Sequence, residues 1–250
     1  MADYAYKDEK RTQIIYANSK DIIDFKGVSC YCKNPKCNSK MYIVNPDHPD
    51  KAYFRASKKT PHRGSCGSEL HHFNRGEFNP NLFKFPDILV NLENESSNKE
   101  YQFKNHSDKV GNADKAIKTL RQLYSMCTNT PISDKYAGIR IGDIIADSRN
   151  VKESLKGIIG RKIIECNFYK YDKDALAIYF NYPCFPDNEA LIQVSFESEE
   201  KLKNALNSII PLSHSGIIVI SANWNASNDE KIICKGTIYS QNQIAIVKKD

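Results

Sequence analysis

CYCKNPKC at residues 30–37 is answered, after a 24-residue excursion, by HRGSC at residues 62–66. Cys32-x4-Cys37 and His62-x3-Cys66 are two short-range pairs, each on a segment rich in turn formers: Asn34 and Pro35 in the first, Pro61 and Gly64 in the second. Such pairs let two ligands converge from one tight turn, which a tetrahedral zinc site requires. Thiolate and imidazole donors suit zinc better than calcium or magnesium. Four such donors leave no open position for a reacting water, so the spacing points to structural rather than catalytic zinc. Cys30 stands two residues before Cys32 as a rival ligand, and four unrelated Cys/His residues are the plainer alternative. The excursion carries Tyr42, Ile43, Tyr53 and Phe54, enough for a small core organised by the metal.

Outward from this stretch, alternation predicts strands over 40–44 and 51–56. A helical turn is expected over 68–77, strands over 87–92 and 99–104, and a helix over 112–127 with apolar residues at three- and four-residue spacing. A short helix over 151–157 follows. The last third changes character: strands over 161–169, 175–182 and 190–197, a helix over 199–210 capped by Ser198, then strands over 216–223, 231–239 and 243–248. Three strands, a helix, then further strands is the order of an OB-fold. The expected class is therefore α+β, with a zinc-binding module over 1–66, an α/β region over 67–157 and an OB-like β-barrel over 158–250.

The 250 residues are 40% hydrophobic and 26% charged, which excludes wholesale disorder. No apolar run reaches the roughly 18 residues of a membrane helix, and the polar, mixed-charge N-terminus does not read as a signal peptide. A cytoplasmic protein without membrane partners is expected, so its eight cysteines read as metal ligands or buried thiols rather than disulfides. The net charge of +6 is unevenly spread: residues 1–86 hold 15 Lys/Arg against 9 Asp/Glu, and residues 171–250 hold 7 against 10. A basic front favours a polyanionic partner such as nucleic acid, against the plainer reading of a solvated surface.

Cys32-x4-Cys37, the aromatic pair Tyr53-Phe54, His62, Cys66, Glu69 and His72 together resemble the front end of the competence protein CoiA-like family, over roughly residues 28–125. That resemblance implies a zinc-finger-like module followed by a restriction-endonuclease-like core. It places Asp87 at a strand end and Glu100-Tyr101-Gln102 on the next strand. Asp87 and Glu100 would then hold magnesium, with Gln102 where a lysine is usual and Glu69 as a further ligand. Lys115, Lys118 and Arg121, on the helix expected after them, suit a nucleic-acid contact whether such a core is active or degenerate. Their plainer reading is a solvated helix face.

In the last third Tyr169, Tyr171, Tyr179, Phe180, Tyr182 and Trp224 are available to stack on bases, although aromatics alternating in strands more often face a core. Three function classes follow: a zinc-stabilised nucleic-acid-binding protein with a degenerate nuclease core, a metal-dependent nuclease using Asp87, Glu100 and Gln102, and a scaffold recruiting a protein partner through its barrel.

Overall fold

The computed structural model describes residues 2–35, 37–49, 51–62, 66, 73, 77–94, 115–183, 190–212 and 216–248. The chain is mixed α+β and mostly sheet. An N-terminal sheet of β1 (Tyr4–Tyr6), β2 (Ile14–Tyr16), β3 (Cys30–Tyr31), β4 (Lys40–Val44) and β5 (Tyr53–Ala56) runs in the order β2-β1-β3-β4-β5, antiparallel throughout. β4 matches its expected span. β1 and β2 are three residues each, too short to show a period in sequence. One face of this sheet packs on a small core of Ala5, Ile22, Cys30, Met41, Ile43 and Phe54.

The middle contains α1 (Phe85–Glu93), α2 (Leu120–Thr128), a two-stranded ribbon of β6 (Lys135–Tyr136) and β7 (Ile139–Arg140), then α3 (Ile141–Ile144), β8 (Ile145–Ala146) and α4 (Val151–Ser154). Two expectations are corrected here. The strand expected over 87–92 is helix α1. Its buried residues Phe85, Ile88, Leu89 and Leu92 have helical spacing, and Pro86 sits in the first turn, where its missing N–H costs nothing. The β-branched look of Ile88 and Val90 masked that period. The helix expected over 112–127 begins only at Leu120. The Thr119 hydroxyl accepts from the Gln122 backbone N–H, and the Gln122 side-chain oxygen Oε1 accepts from the Thr119 N–H, a reciprocal box that marks a helix start. The strand expected over 99–104, and most of the turn expected over 68–77, lie outside the described residues.

The last part holds β9 (Gly160–Asp172), β10 (Ala177–Tyr182), β11 (Ala190–Phe196), α5 (Glu199–Ile209), β12 (Gly216–Ala226), β13 (Ile232–Ile238) and β14 (Ile244–Lys248). β9, β10, β11, β13 and β12 pair in that order, and β12 pairs back onto β9, which closes a five-stranded barrel. The β11–β13 pair is parallel and the others antiparallel, so the order follows the OB-type Greek key. The Ser198 side chain accepts from the Lys201 N–H and caps α5, whose Leu202, Ala205 and Ile209 close one end of the barrel core. β12 shows why its sequence reads as a continuous apolar run. Ile218 and Ile220 face the barrel interior, while Ile217 and Val219 face outward into a second core with Ile163, α1 and α2. Among the described residues no helix is long and apolar enough to cross a membrane.

Candidate metal centre

Cys32, Cys37, His62 and Cys66 converge, with one ligand atom from each lying within 4.8 Å of the others. The route to this geometry is local. Cys32 follows β3, and its N–H donates to the Ser39 carbonyl, while the Cys37 N–H donates to the Asn34 carbonyl and closes the knuckle. β4 and β5 carry the chain away and back. The Ser39 hydroxyl then donates to the Thr60 carbonyl at 2.7 Å, and the Lys40 N–H donates to the Thr60 hydroxyl at 3.0 Å. These bonds bring His62 beside the knuckle, with its Nδ1 3.4 Å from Cys37 Sγ. The Asn34 side-chain amide donates to the Cys66 carbonyl at 3.2 Å, and Cys66 Sγ lies 3.4 Å from Cys32 Sγ.

Contacts with the Cys32 and Cys66 thiols hold Cys37 far below the usual thiol range, and burial opposes this only in part. Hydrogen bonding with Cys32 and Cys37, and then burial, push Cys66 well above it. Thiolates are the form that ligates a metal, and a bound dication would favour release of the thiol protons. Cys30 is not part of the cluster. It is buried in the sheet core, and burial raises its thiol to about 11.

A second layer, not anticipated from sequence, grips the knuckle. Arg11 donates from Nε to the Cys32 carbonyl at 3.0 Å and from Nη2 to the Asn34 and Cys37 carbonyls at 3.1 and 2.8 Å. The Lys33 side chain is buried and its ammonium donates to the Thr128 carbonyl at the end of α2. Burial, with the nearby Arg149 charge second, pulls the Lys33 amine down to about 8. Arg149 spends all five N–H donors: Nε and Nη2 on the Asp147 carboxylate, Nη1 on the Tyr4 hydroxyl and the Thr130 carbonyl, and Nη2 also on the Cys127 carbonyl. The Arg149–Asp147 pair closes to 2.6 Å with side chains 7% and 2% exposed. Beside it the Tyr124 hydroxyl donates to the buried Glu165 carboxylate at 2.6 Å. Lys33, Asn34 and Cys66 line one side of a small cavity, and Asp147, Arg149 and Glu165 line the other, so the metal centre abuts a buried polar junction.

The other sequence-derived residues fare differently. Asp87 is exposed in the first turn of α1 rather than at a strand end. Glu69, Glu100 and Gln102 lie outside the described residues. Lys115 precedes α2, in a bridge with Phe78 and an ion pair of 3.5 Å with Glu77. Lys118 also precedes α2, and of the three cations only Arg121 is on the helix, exposed on its surface. A single basic helix face is therefore not formed. Of the barrel aromatics, Phe180, Tyr182 and Trp224 are buried inside, whereas Tyr169 and Tyr171 are 53% and 50% exposed.

Fold and site together define a class: a mixed α+β chain that joins a Cys/His cluster able to hold a metal ion to a closed five-stranded barrel. A scan against models of known protein families finds no match to this chain, and a search of curated proteins finds none.

Proposed function

We propose that this protein is a zinc-stabilised, single-strand nucleic-acid-binding protein whose barrel contacts the ligand through the β9–β10 hairpin. The observation that carries the contact surface is the exposure of two tyrosines and a lysine on β9 at that hairpin. Tyr169 and Tyr171 are about half exposed, and the Lys170 ammonium lies 5.9 Å from the Tyr169 ring and 5.1 Å from the ring of Tyr179, its partner across the strand pair, while Tyr171 stands opposite Ile178. Exposed rings offer stacking platforms that tolerate any base, and the ammonium supplies a phosphate contact. For the metal, Zn–S of about 2.3 Å and Zn–N of about 2.0 Å imply tetrahedral edges of about 3.5–3.8 Å. The 3.4 Å S–S and S–N approaches in the cluster are near that size.

The CoiA-like resemblance would add phosphodiester cleavage through magnesium at Asp87 and Glu100. Asp87 lies on a helix where that resemblance expects a strand, so binding without cleavage is the reading put forward. The test is fluorescence anisotropy of the purified full chain with labelled single- and double-stranded DNA and RNA at several salt concentrations. Single strands are expected to bind, with affinity falling steeply as salt rises, and Tyr169→Ala with Tyr171→Ala is expected to weaken binding at least fivefold, the effect of about 1 kcal/mol of lost stacking. Absence of binding to every nucleic acid would overturn the reading and favour a protein-recruiting scaffold.

A further inference from the structure

The N-terminal sheet has two faces, and only one of them is consumed by its core. On the other, strand register brings together residues distant in sequence. Tyr6 pairs with Tyr31, Tyr31 with Lys40, and Tyr42 with Arg55, and Lys40 and Tyr42 share a side of β4 because they are two residues apart. The Lys40 ammonium sits 3.6 Å from the centre of the Tyr31 ring. Tyr42 is 38% exposed and Arg55 opposite it is exposed. The opposite faces of the same strands, with Cys30, Met41, Ile43 and Phe54, are buried. Tyr4, two residues before Tyr6, meets the Arg149 guanidinium, so one end of this face is docked and the Tyr42–Arg55 end is open.

Charge says what the open end suits. Residues 1–86 carry 15 Lys/Arg against 9 Asp/Glu, and Lys51, Lys58 and Lys59, which flank β5, are exposed. Asp47, in the turn between β4 and β5, is paired with Lys26 at 3.3 Å. An aromatic surface set among cations matches a chain that offers flat rings and phosphates together.

We propose that this face of the N-terminal sheet, centred on Tyr42 and Arg55 and flanked by Tyr31 and Lys40, is a second platform for single-stranded nucleic acid. The proposal rests on the nucleic-acid-binding reading and extends it from the barrel to the metal-organised module. Tyr42 stacks on a base, Arg55 contacts the backbone, and Lys40 holds the Tyr31 ring at the rim of the platform.

The test uses the full chain with its native metal and a labelled oligothymidylate, beside inorganic polyphosphate, which has the charge but no bases. Tyr42→Ala is expected to weaken oligothymidylate at least fivefold, the low end of single-base stacking effects, and to leave polyphosphate binding unchanged. Tyr42→Phe, which keeps the ring, is expected to bind like the native protein. Arg55→Ala is expected to flatten the dependence of log affinity on log salt by about 0.7, one single-strand phosphate contact. Unchanged metal content and melting temperature in each variant certify the fold. Native affinity in Tyr42→Ala, with Tyr169→Ala and Tyr171→Ala still weakening, would remove this platform and leave the barrel reading standing. Equal loss of oligothymidylate and polyphosphate would overturn stacking at Tyr42. Failure of the native chain to bind any oligonucleotide would remove both, and preferential capture of polyglutamate would reassign the face to an acidic protein.

Discussion

Single side chains join the metal centre to the rest of the molecule. Arg149 connects the Tyr4 hydroxyl of β1, the Cys127 carbonyl in the last turn of α2, the Thr130 carbonyl just beyond it and the Asp147 carboxylate in one buried fork. Cations at a helix C-terminus also favour its dipole, and Lys33 supplies a second one at Thr128. Arg149→Ala would leave a buried carboxylate, a phenol and two carbonyls without this donor, and breaking a buried pair this way costs about 3–5 kcal/mol. Thermal melting is expected to fall by about 10 °C, given about 2–4 °C per kcal/mol for a chain of this size. Arg149→Lys is expected to rescue little of it, because an ammonium cannot reproduce five fixed donors. A melt within a degree or two of native in Arg149→Ala would show that the fork is dispensable. The four converging ligands were legible because paired spacing along the chain is itself the geometric requirement. Arg149 was not, since its partner Tyr4 lies 145 residues away and nothing local marks the contact.

Elements were legible where one period acted alone. The strands and capped helix of the last third match their expected spans within a few residues, because alternation, Ser198 and the polar turns agree. α1 reads as a strand because the β-branched Ile88 and Val90 obscure the helical spacing of Phe85, Ile88, Leu89 and Leu92. α2 was overextended because apolar spacing continued through residues that precede the Thr119–Gln122 box. Barrel closure is visible in sequence only as strand order; one close approach between β12 and β13 falls at a glycine. A Cβ at Gly236 on β13 would lie 2.9 Å from the Ala222 Cβ and 3.0 Å from the Trp224 ring. Gly236→Ala is expected to cost about 1–3 kcal/mol through overpacking and to perturb the fluorescence of Trp224, the chain's one tryptophan. A native urea midpoint and an unchanged emission spectrum would show that β12 and β13 can part without cost.

At the scale of the whole molecule, cores and expected segments do not coincide. The cut expected near residue 157 runs through a core that joins Leu89 of α1 and Leu123 of α2 to Ile163 of β9, Ile217 and Val219 of β12 and Val247 of β14. Residues 158–250 made alone would expose those barrel side chains. That fragment is expected to bind a hydrophobic dye and self-associate, whereas residues 77–250 keep the cover; a monodisperse, dye-free short fragment would show that the barrel stands without it. The N-terminal sheet differs, because its core is small and ends in the three cysteines of the cluster. On the proposed zinc reading, its order is expected to depend on the metal more than on buried area. The most direct measurement is elemental analysis of the full chain purified without added metal, followed by circular dichroism and melting with and without a strong chelator. About one zinc per chain is expected, together with loss of the N-terminal sheet on chelation and the same loss in Cys37→Ser and Cys66→Ser. Metal far below one equivalent, with the sheet intact in chelator and in both variants, would contradict the account.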